Sequence, residues 1–394
     1  MKKILIANVG STSYKYTLFE ISEEEGANRL VRGGMERVSD YESAIAESLS
    51  DLESKGYKAS GIDAVAFKTV LGKNLSGLRE ADDAVLKALD DMSFVAPAHN
   101  PPYAKAIRAF GKILPDARRV ALFETSFYQW ADPAWKRYAV PQTWEEIGVR
   151  RNGFHGASHK YAAERAAELC GEPEAAESAR MLYVNNGPLE LPKRFRHINC
   201  HLGGSSSVCG IVNGAAIGTS MGFTPQSGLP QNNRVGDLDA MALPFAMATL
   251  GISAEEAMRQ LSKEGGLLGI SGVSNDMRDI HEAAQNGNSR AQLAIDVQAY
   301  SARAYIGWFM AQMGGVDAVS FSGGMGENNP WLRELILKPL EGFGLKLDSE
   351  KNLECTKGKE GLISSVDSKI KVVAVAADEE IVIAREAARY LKNS

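Results

Sequence analysis

Residues 3–9 (Lys-Ile-Leu-Ile-Ala-Asn-Val) form a nearly unbroken apolar run that predicts a buried strand. A short polar turn leads into Tyr14-Lys-Tyr-Thr-Leu-Phe-Glu20, whose alternation predicts a second strand. Helical spacing follows over 41–54 and 80–91. Ile62-Asp-Ala-Val-Ala-Phe67 and Arg119-Val-Ala-Leu-Phe123 predict further strands, and an alanine-rich helix runs from about His155 to Cys170. The opening layout then returns, as strand His197-Ile-Asn-Cys-His-Leu, turn Gly203-Gly-Ser-Ser-Ser207 and strand Val208-Cys-Gly-Ile-Val212. A later unit joins Ala318-Val-Ser-Phe321 to a glycine-rich loop, Ser322-Gly-Gly-Met-Gly-Glu-Asn328. Residues 370–375 predict a late strand, and 378–392 a terminal helix whose acidic first turn suits the helix dipole. The stretch 180–197, with two prolines, Gly187 and a basic end, reads as an irregular surface insertion. The repeated strand-turn-strand start predicts two related α/β halves facing each other, with ligands where strand ends converge.

Composition narrows this picture. A chain of 394 residues exceeds what one core usually serves, so two domains are expected. A hydrophobic content of 44% and a charged content of 24% are ordinary for a soluble globular protein, and the net charge of −5 argues against nucleic acid as the main partner. Cys170, Cys200, Cys209 and Cys355 form no CxxC pair, which disfavours disulfides and structural zinc and suits a reducing cytoplasm. The apolar run Ile4–Val9 is too short for a signal-peptide core, and no stretch reaches membrane-spanning length. The expectation is a soluble cytoplasmic protein with no nucleic-acid or membrane partner.

Candidate chemistry concentrates in four segments. Arg151-Asn-Gly-Phe-His-Gly-Ala-Ser-His159 packs two of the six histidines and several small residues into nine positions before a helix. The pair His155 and His159 lacks the glutamate of a zinc HExxH motif, and His197 and His201 lack a third ligand, so zinc is rejected. Asn8-Val-Gly-Ser-Thr-Ser-Tyr-Lys15 puts hydroxyls and backbone N–H groups in a turn that can cradle phosphate, with Lys15 adding charge. It is not a Walker loop, and by itself it equally fits a serine-rich hairpin turn. The matching turn at 203–207 makes a two-walled phosphate site the better reading of the pair. The glycines of 322–329 would let a flat nucleotide ring approach the backbone.

Taken in order, Arg151–His159, Thr219-Ser-Met-Gly-Phe-Thr-Pro225, Arg234-Val-Gly-Asp-Leu-Asp239, Ser271-Gly-Val-Ser-Asn-Asp-Met-Arg278 and Ser322–Asn328, with the Asn8–Lys15 turn, resemble the acetate kinase family of the sugar kinase and actin superfamily. The resemblance spans about residues 3–390, with 180–197 as its main interruption, and marks the chain as a divergent member. It implies an α/β protein of two duplicated actin-like ATPase (ribonuclease H-like) domains around a nucleotide cleft. The first domain would cover 1–150, completed by the terminal helix at about 380–394, and the second 151–379. The implied activity is reversible phosphoryl transfer between ATP and acetate, propionate or a slightly larger acid, with Mg2+ (or Mn2+), in a homodimer. The alternative is a nucleotide-binding sensor or interaction protein that has lost phosphotransfer.

The resemblance also implies roles. Arg234 binds the carboxylate and the moving phosphoryl group, His155 donates to its equatorial oxygens, and His99 supports the site. Asn8, Ser11, Ser13 and Lys15 match the N-terminal phosphate motif, and Asn8 with Glu379 the magnesium side. His201, Gly203, Gly204 and Ser205 would hold phosphates, while Asn275, Asp276, Arg278, Gly323, Gly324, Gly326 and Asn328 lie on the nucleotide side. Val70, Ala98, Phe154 and Pro225 would line the acyl pocket. Local alternatives stand beside these: His99 as a loop anchor, Asp276 and Arg278 as an ion pair, Glu379 as a dipole partner.

The chain departs from the family around the acid. Phe67-Lys-Thr-Val-Leu-Gly72 stands where the family has His-Arg-Val-Val-His-Gly, so Lys68 keeps the charge but loses the bidentate fork. Glu124, in Phe123-Glu-Thr-Ser-Phe-Tyr128, replaces an aspartate that approaches magnesium. Ala98 replaces a common leucine, leaving room for a longer acyl chain at roughly 0.8 kcal/mol per buried methylene. Lys68 and Glu124 join His155 and Arg234 as the expected catalytic set.

Overall fold

A computed structural model describes the chain except for Ser11, Ala98 and Ser394, so the expectations attached to Ser11 and Ala98 fall outside the described residues. The first sheet contains β1 (Lys2–Val9), β2 (Ser13–Ile21), β3 (Ala27–Glu36), β4 (Ala64–Thr69), β5 (Leu78–Glu80) and β6 (Arg118–Phe123), ordered β3-β2-β1-β4-β6-β5. The second contains β7 (Arg196–His201), β8 (Ser207–Val212), β9 (Ala215–Thr219), β10 (Ala318–Ser322), β11 (Gly361–Leu362) and β12 (Lys371–Ala374), ordered β11-β12-β10-β7-β8-β9. Read from opposite ends, the two orders are the same. Each has an antiparallel meander on one side, three parallel strands across the middle and a short antiparallel edge strand. The duplication expected from the repeated strand-turn-strand start is therefore present in the sheet topology.

Parallel central strands are buried on both faces, which explains their continuous apolar runs. Ile4, Leu5 and Ile6 of β1 are fully buried, as are Ala64–Phe67 of β4 and Ala318–Phe321 of β10. The same topology brings the carboxyl ends of β1, β4 and β6 to one edge, where Asn8, Lys68 and Glu124 lie. In the second sheet it brings together the ends of β7 and β10, at His201 and Ser322.

The chain divides into two compact units, one of Met1–Gln129, His155–Ala157 and Asp378–Ser394, the other of Trp130–Phe154 and Ser158–Ala377. Segment 130–154 therefore packs with the later residues, although the sequence division was drawn at 150. The reason is local: a Cβ added to Gly218 of β9 would come within 2.6 Å of Trp135 Nε1, and Asn152 Nδ2 donates to Phe223 O at 2.9 Å.

Three sequence expectations are corrected. The helix expected over 80–91 begins only at Asp83, because Glu80 ends strand β5, paired with β6, and the Asp82 side chain accepts from Val85 N and caps the helix. The loop expected at 322–328 is a short helix, Gly323–Asn328, tied to β7 by Met325 N and Gly326 N donating to Leu202 O. Segment 180–197 is irregular only in its middle, since Arg180 and Met181 end the helix Pro173–Met181, and Arg196 and His197 begin β7. The helices Asn100–Ile113 and Ser289–Met313 had no counterpart in the sequence reading. Among the described residues, no helix is long and apolar enough to cross a membrane.

Candidate active site

Each unit carries its own group of the expected site residues. In the first, three elements converge on one ion cluster. Lys68 Nζ, from β4, donates to Glu379 Oε1 at 2.6 Å and lies 3.8 Å from Glu124 Oε1. Glu379 opens the terminal helix Glu379–Asn393, and Glu124 follows β6 directly. Glu124 is buried, and among the described residues neither carboxylate oxygen has a hydrogen-bond partner of good geometry. Burial pushes its pKa up to about 7; Lys68 opposes the shift, Glu379 adds to it, and the backbone N–H groups of Gly156 and His155 favour the anion. Burial works against the Lys68 ammonium, but Glu379 and Glu124 outweigh it and raise its pKa.

Asn8 joins the cluster through a residue the sequence reading passed over. The Tyr103 hydroxyl donates to Asn8 Oδ1 at 3.3 Å and accepts from Val9 N at 3.4 Å. Tyr103 is buried in the helix Asn100–Ile113, its phenol held protonated with a pKa pushed up to about 12 by burial. A signal existed: Tyr103 stands one helical turn beyond His99, the residue before that helix. Lys15, by contrast, is exposed on β2 with Nζ 3.8 Å from Glu36 Oε1, while Ser13 shapes the turn by accepting Gly10 N on its carbonyl. Val70 is buried near the end of the same strand region as Lys68.

His155 has a left-handed backbone, at φ 60°, which few non-glycine residues adopt. Gly156 beside it tolerates no side chain, since a Cβ would sit 2.1 Å from Glu124 O. The His155–Gly156 turn is therefore fastened to the backbone that carries Glu124. Phe154, one residue earlier, is buried in the second unit.

In the second unit the principal cation is Arg234. Its loop is clamped by the start of the helix Gly266–Ser271, where Leu267 N and Leu268 N donate to the carbonyls of Gln231 and Asn232. Gly266 makes this approach possible, because a Cβ there would meet Gln231 O at 2.1 Å. Arg234 Nη1 donates to Gln231 Oε1 at 3.2 Å, and among the described residues it has no carboxylate partner; burial lowers its pKa. Gln231 is fully buried and also accepts from Ser205 Oγ at 2.7 Å and donates to Pro225 O. One amide thus ties together Ser205, Pro225 and Arg234, three residues expected from sequence. Gln231 itself was not expected.

His201 ends β7 and its Nδ1 pairs with Ser158 Oγ at 2.8 Å. A Cβ on Gly203 would lie 3.8 Å from His201 Nε2 and 4.0 Å from Gly324 N, so the turn at 203–207 and the start of the helix Gly323–Asn328 are neighbours. Gly204 O accepts from Asn232 N, joining that turn to the Arg234 loop. Other nucleotide-side candidates are occupied locally. Asp276 caps the helix Met277–Gln285 and pairs with the exposed Arg278 at 2.5 Å, next to exposed Asn275. Asn328 bonds Gly324 O and Lys357 N, and Gly323 N donates to Glu327 Oε1. Gly326 O accepts from Arg333, a fully buried arginine whose other acceptors are Glu327 O, Asn352 and Cys355 O.

Beneath this region runs a buried polar chain. His197 Nε2 donates to Ser320 Oγ, Ser320 donates to Asn199 Oδ1, Asn199 Nδ2 donates to His159 Nδ1, and His159 Nε2 donates to Ser207 Oγ, each at 2.7–2.8 Å. Burial holds His159 neutral, with His201 and His197 adding to the effect, and lowers His197 to about 3. His159 is thus a structural strut from its helix to β7 and β8. Replacing it with leucine strands Asn199 and Ser207, and we expect a loss on the order of 3 kcal/mol by urea unfolding. A loss below about 1 kcal/mol would show the chain to be dispensable.

Similarity to known proteins runs over nearly the whole chain. The acetokinase family model matches residues 3–385. The acetate kinase of Thermoanaerobacterium thermosaccharolyticum is 38% identical over 421 aligned residues, covering 99% of this chain and 99% of that protein. The Bacillus subtilis acetate kinase is 37% identical, with 100% of both chains covered. Among solved structures, Porphyromonas gingivalis acetate kinase superposes with a TM-score of 0.86 at 35% identity, over 99% of this chain and 100% of the other. A Francisella tularensis propionate kinase superposes at 0.84 with 29% identity, covering 98% and 99%.

Proposed function

The chain belongs to the acetokinase family, and we propose that it transfers the γ-phosphoryl group of ATP reversibly to a short-chain carboxylic acid, giving an acyl phosphate and ADP. The observation that carries this reading is Arg234, a partly buried guanidinium without a carboxylate partner among the described residues. A cation left uncompensated in this way is matched to an anion from outside the chain. The acceptor carboxylate is ionised at neutral pH and needs no base; its obstacle is approaching the negative phosphoryl group. Arg234 would hold both anions through its planar fork, with Gln231 fixing its direction and carrying the same register to Ser205. His155 would donate to the equatorial oxygens, and His201 with the 203–205 turn would hold phosphates.

Glu124, Glu379 and Asn8 fit a magnesium site. Magnesium takes oxygen ligands and keeps much of its water, and the two buried oxygens of Glu124, which have no hydrogen-bond partner of good geometry among the described residues, are the kind of donors it uses. When bound, Mg2+ would neutralise charge on the ATP phosphates. The four cysteines are buried and form no disulfide among the described residues, in keeping with a cytoplasmic protein. Exposed Met241 and Phe245, at and within the start of the helix Ala242–Leu250, offer apolar surface for a homodimer.

For the acid, the proposal extends to propionate or a slightly larger chain, motivated by Ala98 and by the 227–233 segment, Ser227-Gly-Leu-Pro-Gln-Asn-Asn233, which stands where the family has Glu-Gly-Leu-Met-Met-Gly-Thr, together with the altered 67–72 segment. The test is hydroxylamine trapping of acyl phosphate over acetate, propionate, butyrate, valerate and hexanoate, with ATP, GTP and pyrophosphate as donors, on protein whose mass is checked by sedimentation. We expect product with ATP and a dimer. ATP binding with no acyl phosphate would overturn the activity. Acetate preferred by more than about tenfold in kcat/KM over propionate through valerate would overturn the size preference alone.

A further inference from the structure

Lys68 is held where the proposed metal site needs room. Its ammonium lies between the two carboxylates, 2.6 Å from Glu379 and 3.8 Å from Glu124, and only 21% of its side chain is exposed. No hydrogen-bond donor of good geometry reaches either Glu124 oxygen among the described residues, so the nearby ammonium is its principal counter-charge. With both carboxylates ionised the trio carries one net negative charge. Adding a divalent cation without removing the ammonium would leave a net positive charge in a mostly buried place, which is costly. Detaching the ammonium costs less, because lysine is a single charge on a flexible four-carbon stem.

We propose that Lys68 is a built-in counter-ion occupying the place of the divalent cation between Glu124 and Glu379, and that arrival of the cation releases it toward the anionic substrate. The inference rests on the reading of Glu124 and Glu379 as metal ligands. It gives the lysine a purpose that arginine would serve badly: a guanidinium fork can engage both oxygens of one carboxylate and would resist displacement. It also makes binding ordered. The positive charge that helps capture the acid becomes available only after the cation is loaded, so the two sites are coupled through one side chain.

The test uses the full chain and Mn2+ alone, with free Mn2+ read by electron paramagnetic resonance. Lys68→Gln removes the competing charge, and we expect Mn2+ to bind about tenfold more tightly than to the native chain. Equal or weaker binding by folded Lys68→Gln protein overturns the exchange while leaving the metal site intact. Absence of Mn2+ binding in both proteins overturns the metal-ligand reading and the exchange together. A second measurement needs no variant that could misfold. In native protein carrying 15N-lysine, the Lys68 ammonium resonance is expected to lose its Glu379-bound shift as Mg2+ is added. A resonance that stays fixed when Mg2+ has displaced bound Mn2+ overturns the proposal.

Discussion

Replacing Arg234 with glutamine is expected to lower kcat/KM for acyl phosphate formation by about three orders of magnitude without lowering the melting temperature. Both halves of this result come from one geometry. The guanidinium has one hydrogen bond, to Gln231, and no carboxylate partner among the described residues, so folding gains little from it. Burial lowers its pKa, which means the native state holds the charge at a cost. Glutamine removes that cost, yet it offers neither charge nor a fork to two anions. Loss of activity together with unfolding would assign Arg234 a structural role. Activity within about tenfold of native would remove it from the site. Steady-state kinetics and calorimetry on the same preparation separate these results.

Glu124→Gln is expected to lower activity by at least about a hundredfold while stabilising the metal-free protein at alkaline pH. An ordinary glutamate has a pKa of 4.5, and burial raises that of Glu124 to about 7. Between these values the folded chain holds a proton that the unfolded chain has released. Native stability therefore falls as pH rises through this window, and the cost is complete above pH 7. Glutamine carries no such cost, so its advantage should reach the order of 2–3 kcal/mol at about pH 8 and largely vanish below pH 5. Denaturation midpoints in chelator at both ends of the window check this. A pH-independent difference would show that Glu124 is ionised throughout, fully compensated by Lys68.

The two results divide the site by what a linear reading can reach. Arg234, His155 and Asn8 sit in local motifs whose glycines and polar spacing mark a turn in the sequence, even though the helix Gly266–Ser271 and the Glu124 backbone hold two of those turns in place. The pair Asp276 and Arg278, two residues apart, was open to the local ion-pair reading for the same reason, and the structure has that pair. Lys68 and Glu379 are 311 residues apart, and their contact depends on the terminal helix lying against β4. Tyr103 reaches Asn8 across 95 residues, and Gln231 reaches Ser205 across 26. Hydrophobic periodicity assigns a residue to a face of its element but not to a partner on another. The error at 80–91 has a related origin, since a short edge strand exists only because β6 pairs with it.

By itself, then, the sequence determined the duplicated α/β plan, the buried central strands and the family, because apolar runs, turns and ordered motifs are local properties of the chain. Only the tertiary structure decided which charges are compensated. Among the described residues it left Arg234 without a carboxylate partner, and it spent Lys68 on two carboxylates rather than leaving it free for substrate. The reason is physical: the energy of a charge depends on its burial and on every opposite charge within a few ångströms. Those neighbours arrive from strands and helices that the sequence keeps hundreds of residues apart.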